Sequence, residues 1–194
     1  AGFFSPEFRQ GQRLGALEQT ADQILKSLSH RGPDQAYRMT TPDGVLMHNS
    51  LYTNRFSKTN VPTQGKGALS HLHIVCDDGI YNYDELERQL TSQNISVKQM
   101  SRSEILLTLY HLYGERFATL LRGGYAIAIA DTRLHKVVLF RDPMGIKPLF
   151  YHQQDSLFLF ASEIKGIFAH PGIRATMDLR GMHQVFSLGP AHLP

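Results

Sequence analysis

Apolar residues at Leu14, Leu17, Ala21, Ile24, Leu25 and Leu28 recur at helical spacing and predict an amphipathic helix that ends near Ser29. The run His30-Arg31-Gly32-Pro33-Asp34 follows, and its Gly and Pro predict a turn. Residues 35–40 and 44–48 predict a strand pair joined at Thr41-Pro42-Asp43-Gly44; residues 49–67 read as a long polar loop and residues 68–76 as a further strand. Asn82 with Glu85, and Ser101 with Glu104, have the spacing of capping boxes and predict two helix starts. The second of these helices carries Ile105, Leu106, Leu109, Leu112 and Tyr113 on one face.

After Gly123 the period becomes two: Tyr125, Ile127 and Ile129 point one way, and Gly124, Ala126, Ala128 and Ala130 the other. Neither face is polar, so this strand is covered on both sides. Residues 137–140 and 157–161 predict two more strands, and residues 162–169 and 177–187 two more helices. Apolar strands on short turns, with helices at both ends of the sequence, predict stacked antiparallel sheets with helices outside rather than βαβ alternation.

Composition narrows the function classes. A chain of 194 residues, 42% hydrophobic and 19% charged, fits one globular domain. Its net charge of +3, spread without a basic run, gives no footprint for nucleic acid. No apolar run approaches the ~18 residues of a membrane span, and the first residues lack a signal-peptide pattern. A single cysteine, Cys76, excludes an internal disulfide and points to a reducing, cytoplasmic setting. His71 and His73 alternate on a strand and share a face, so with Cys76 or Asp77 they form a metal candidate, but without a defined third ligand the expectation is no metal. Cys76, in an apolar strand, reads as a small core residue, and Arg141-Asp142-Pro143-Met144-Gly145 as an architectural turn.

Four stretches resemble one family: AGFF at the start, LSHRGPDQA at residues 28–36, GIYNYDEL at 79–86 and FRDPMGIKPLFY at 140–151, with LFASEIKGIFAHPGI at 159–173 adding to them. In order and spacing the chain is similar to the glutaminase domain of class II glutamine amidotransferases of the asparagine synthetase type. The resemblance implies a four-layer αββα N-terminal-nucleophile (Ntn) hydrolase fold covering residues 1–194. It also implies that residues 175–194 are a linker or docking segment toward a synthetase domain or subunit. In such a domain residue 1 is a cysteine whose thiol attacks the glutamine amide. Its own α-amine, with pKa ~8, can serve as the base, so one residue supplies both functions.

The positions that the resemblance assigns to this chemistry hold other residues. The nucleophile position is Ala1, whose methyl cannot attack a carbonyl. The oxyanion positions, Asn and Gly in the family, are Asp77 and Asp78, so a donor has become an acceptor. The glutamine-binding positions fall on Gly79, on Arg102 where the family has an acid, and on Ser50 or Arg55, two alignments that stay open. A guanidinium ~4 Å from the substrate ammonium, at an effective dielectric near 20, costs roughly 4 kcal/mol. His30 and Arg31 lie nearer the pocket as support, with Arg31 bracing the turn.

With this many departures, Ala1 reads as the natural residue, exposed by removal of the initiator methionine, rather than as a replaced cysteine. Arg102 is expected either to pair with Asp77 or Asp78 and plug the pocket, or to stand with them as ordinary surface charge. The function expected is an asparagine-synthetase-like amidotransferase domain without glutaminase activity, a scaffold for an ATP-dependent amide-forming synthetase. The alternative is a working glutaminase whose cysteine was engineered to alanine or whose pocket residues are misaligned. No cofactor is expected in this domain, with ATP and Mg confined to the synthetase partner. A homodimer stays open, and neither nucleic acid nor membrane is expected as a partner.

Overall fold

A computed structural model of the chain describes residues 1–5, 14–53 and 61–188. Nine strands form two sheets. The five-stranded sheet has the order β2-β3-β1-β9-β8, with β1 (Gly2–Phe4), β2 (Gln35–Thr41), β3 (Gly44–Ser50), β8 (Phe150–Gln154) and β9 (Leu157–Ala161). The four-stranded sheet has the order β4-β5-β6-β7, with β4 (Thr63–Gln64), β5 (Leu72–Ile80), β6 (Gly123–Asp131) and β7 (Lys136–Arg141). Every strand pairing is antiparallel.

Three apolar cores separate the layers. Helix α1 (Leu14–Ser27) and helix α4 (Ile164–Phe168) cover the first sheet through Ala21, Ile24, Phe3, Met47 and Ile167. Phe4, Leu46, Val75, Ala128, Ala130 and Phe160 fill the space between the sheets. Helices α2 (Tyr83–Ser92) and α3 (Arg102–Tyr113) cover the second sheet over Ile74, Ile127, Ile129 and Leu106. The architecture is therefore helix, sheet, sheet, helix, the four-layer sandwich of Ntn hydrolases. Strand β6 shows why the layers fit. Its bulky residues meet the helices, and its alanines lie between the sheets, where Phe4 and Phe160 occupy the room that they leave.

Local differences from the sequence pattern have physical causes. Residues 67–69 form a 3-10 turn, and β5 starts later than the apolar run and continues through the charged residues to Ile80, because β6 pairs with it over that whole length. Strands β1 and β8, which carry no clear alternation, exist through their pairing to β9. Asn82 makes no capping bond; its amide instead donates to the Leu120 carbonyl (2.9 Å) and its carbonyl accepts from the Arg122 amide (3.0 Å). The Ser101–Glu104 capping box is complete at the start of α3. Leu112 is exposed, while Leu107, off the expected face, is fully buried. Residues 162–169 contain only the short α4, and the last helix, α5, runs over Leu179–Leu188 with Leu179 and Phe186 in solvent.

Phe117, fully buried, meets Phe140 edge-on at 4.9 Å between ring centroids and Tyr110 at 5.8 Å. Its removal would leave a cavity that two aromatic neighbours cannot close. Phe117→Ala is expected to cost about 3–5 kcal/mol, read as a lower urea midpoint with an unchanged slope.

Candidate active site

Strand β1 sits between β3 and β9, so residue 1 is delivered to the end of the central strand. The Ala1 amine donates to the Met47 carbonyl at 2.9 Å, and the Met47 amide donates back to the Ala1 carbonyl at 2.8 Å. Gly2 is required next to it, since a Cβ there would lie 2.5 Å from Phe160 Cζ. Burial pushes the Ala1 amine down to about 5, with nearby Asp77 opposing the shift. The amine is therefore a neutral base at pH 7, but the side chain beside it is a methyl.

A cavity of about 360 Å³ opens beside Ala1. Arg31, Ser50, Asp77, Asp78 and Arg102 all contribute to its wall, so the structure brings together six of the positions singled out in the sequence, counting Ala1. Gly79 and His30 are not in the wall, and Arg55 lies outside the described residues. A Cβ at Gly79 would come 2.8 Å from the Gly124 carbonyl oxygen, so this backbone has no room for a side chain there.

The two aspartates are neighbours in sequence and point to opposite sides of β5. Asp77 shares the inter-sheet side with Val75 and pairs with Lys147 Nζ at 2.7 Å. Asp78 shares the helix side with Cys76 and Ile80, and its side chain is only 1% exposed. Its carboxylate accepts from the Ile80 amide (2.9 Å), the Tyr83 hydroxyl (3.1 Å) and Arg102 Nη1 (3.3 Å). The Arg102 guanidinium also lies 4.3 Å over the Tyr83 ring. Burial, with Asp78 next in weight, raises the Tyr83 hydroxyl far above its ordinary range, so it stays a donor. Of the alternatives for Arg102, the geometry selects Asp78, and a buried Asp78 is not ordinary surface charge.

Lys147 was not singled out in the sequence, and it is held by the turn read there as architectural. The buried Asp142 carboxylate accepts from the Ile146 (2.8 Å), Lys147 (2.9 Å) and Tyr125 (3.3 Å) amides, while Arg141 Nε donates to the Lys147 carbonyl at 2.9 Å. Burial alone would raise the Asp142 carboxyl; these backbone donors outweigh it and leave it below the usual carboxylate range. His48 also lines the cavity, and burial, followed by the Ala1 amine, pushes its imidazole down to about 4. The signal that could have found both is position: His48 precedes the candidate Ser50 by one alternation, and Lys147 closes a turn built from Pro and Gly.

His30 and Arg31 stand at the cavity's edge. His30 Nε2 lies 2.8 Å and Arg31 Nη1 3.4 Å from Glu163 Oε1, and Lys165 Nζ lies 3.2 Å from Glu163 Oε2, so they tie the 3-10 turn at residues 29–31 to the start of α4. Cys76 is a buried free thiol whose pKa burial raises, which makes it unreactive. It faces the helices, opposite to His73, and among the described residues no three metal-ligating side chains converge.

Fold and cavity together define an Ntn-hydrolase-type domain. The sequence matches the glutamine amidotransferase domain family over residues 8–194, and the chain belongs to that family. It is 32% identical over 183 residues to asparagine synthetase [glutamine-hydrolyzing] 3 of Bacillus subtilis, covering 94% of this chain and 30% of that protein. It is 38% identical over 165 residues to a putative asparagine synthetase of Methanocaldococcus jannaschii, covering 74% of this chain and 29% of that one. The chain thus spans under a third of the length of these relatives. In three dimensions it is similar to the glutamine phosphoribosylpyrophosphate amidotransferase of B. subtilis, with a TM-score of 0.63, 19% identity, and coverage of 87% of this chain and 43% of that one.

Removing Arg102 would leave Asp78 buried with only neutral donors. Arg102→Met is expected to destabilise by about 3 kcal/mol, and Asp78→Asn in the same chain to restore part of it, both read by urea unfolding. The His30 hydrogen bond, then that of Lys165, holds the Glu163 carboxyl down to about 2 against an ordinary value of 4.5. A depressed folded-state pKa stabilises above the unfolded value and ceases to do so as pH falls through the folded one. The melting temperature should therefore drop between pH 4.5 and about pH 2, and Glu163→Gln should make that drop shallower.

Proposed function

We propose that this domain does not hydrolyse glutamine and serves as a structural module for an ATP-dependent, amide-forming synthetase, which carries the ATP and Mg chemistry. The observation that carries the reading is the wall of the cavity. Its nucleophile position is a methyl, its charges at Asp77, Asp78, Arg102 and Lys147 are joined in two ion pairs, and Arg31 is paired with Glu163. A glutamine zwitterion needs a carboxylate for its ammonium and a cation for its carboxylate; both kinds of group are already engaged with each other. The Arg102–Asp78 pair acts in this reading as a plug on the ammonium side. The reaction's oxyanion would meet the Asp77 carboxylate, an acceptor where a donor is needed, and loss of one such donor costs on the order of 10²–10³ in rate.

The synthetase partner is supported by the relatives, which are named asparagine synthetases and are more than three times as long as the matched region. Helix α5 supports a docking role for residues 175–194. Met177, Leu179 and Phe186 are each more than 70% exposed, an apolar surface that a neighbour would cover. Making amides from amines other than ammonia would remove any need for glutaminase chemistry and gives the loss a rationale. A cytoplasmic setting belongs to the same proposal, resting on the single unpaired cysteine.

Ala1→Cys with its amine free is the test. The expected result is no ammonia release from glutamine above that of the unaltered chain. Robust release would instead establish a working glutaminase pocket that lacks only its sulfur.

A further inference from the structure

A second cavity, of about 500 Å³, lies between α3, the 3-10 turn at residues 67–69 and the chain that connects α2 to α3. It shares no lining residue with the cavity beside Ala1. Leu69, Met100 and Leu107 make its apolar wall. Leu107 is fully buried, and Leu69 and Met100 are partly buried and pack against the same core. A volume within the ~300–1,000 Å³ range of small-molecule pockets thus backs onto core hydrocarbon.

The rim carries charge of one sign in excess. The one carboxylate among its lining residues, Glu104, is engaged at both oxygens. Oε2 accepts from the Ser101 amide at 2.7 Å in the capping box, and Oε1 meets Lys66 Nζ at 2.7 Å. The helix start fixes position 104, so this carboxylate is committed to the fold. Lys98, exposed on the same rim, makes no ion pair or hydrogen bond among the described residues. Ser96 and Gln99 stand beside it with a hydroxyl and an amide that are likewise unengaged within them.

These two features constrain an occupant together. An exposed ion pair contributes little by itself, so a small hydrophilic anion would gain too little at Lys98 to stay. An uncharged hydrocarbon would cover the apolar wall but leave the ammonium without a counter-charge. A cation would meet Lys98 with no unengaged carboxylate to offset it. A molecule with a hydrocarbon body and one anionic head satisfies both parts of the wall.

We propose that this cavity binds a small amphipathic carboxylate, its hydrocarbon body against Leu69, Met100 and Leu107 and its head at Lys98. The site is separate from any chemistry at residue 1 and does not depend on whether the domain hydrolyses glutamine.

The experiment is an amide-resolved NMR titration of the chain with octanoate, octanol, octylammonium and acetate, each below its aggregation limit. Octanoate is expected to give saturable shifts at Leu69, Lys98, Gln99 and Thr108, and none at Ser50 or Ala126 in the other cavity. Octanol should bind about threefold more weakly, the worth of one exposed ion pair. Octylammonium should bind more weakly still, and acetate should give no saturable shift. Lys98→Glu should weaken octanoate about tenfold, since attraction becomes repulsion, and should strengthen octylammonium, a reversal that a merely misfolded chain would not show. Leu69→Gln should weaken octanoate and octanol alike. No saturable shift with octanoate, equal affinity for octanol or octylammonium in the unaltered chain, or undiminished octanoate binding in Lys98→Glu would overturn the proposal. So would shifts confined to the exposed apolar residues of α5, Leu179 and Phe186.

Discussion

A carboxylate that is 1% exposed cannot stand alone, and the neighbourhood of Asp78 is organised around that constraint. Three donors reach it: the Ile80 amide from its own strand, the Tyr83 hydroxyl from α2 and the Arg102 guanidinium from α3. The Ser101–Glu104 box fixes where α3 begins, and so places Arg102 in the first turn. Tyr83 both donates to the carboxylate and lies under the guanidinium, so the cluster is held in two directions. Strand, two helix starts and cavity wall are joined through one ion pair.

The second pair has the same logic with different parts. Lys147 reaches Asp77 because the turn before β8 is locked from inside by Asp142 and from outside by Arg141. A turn without a reacting group thereby decides the charge of the cavity. With both pairs formed, what the wall leaves unanswered among the described residues is neutral, the Ser50 hydroxyl and the His48 imidazole.

The depressed pKa of the Ala1 amine shows a related separation. Burial at the end of β1, between two paired strands, creates a neutral base whether or not a nucleophile stands beside it. The base therefore follows from the fold, and the nucleophile from one side chain. Replacement of that side chain leaves the backbone hydrogen bonds to Met47 in place.

Much of this was legible along the chain because it is local. The two-faced pattern of β6, the capping box of α3 and the amphipathic α1 depend on residues a few positions apart, and period alone assigns their faces. The motif order located residue 1, the Asp77–Asp78 step and Arg102, since position in a family pattern needs no coordinates. Only the tertiary structure decided the partners. Asp78 rather than Asp77 took Arg102 because β5 extends to Ile80 and turns the two carboxylates to opposite sides; Lys147 took Asp77 because a distant turn folds over the sheet end; Asn82 left its predicted cap for Leu120 and Arg122. Periodicity is set by a few successive backbone angles, whereas the pairing of buried charges is set by which groups remain without water once the layers close.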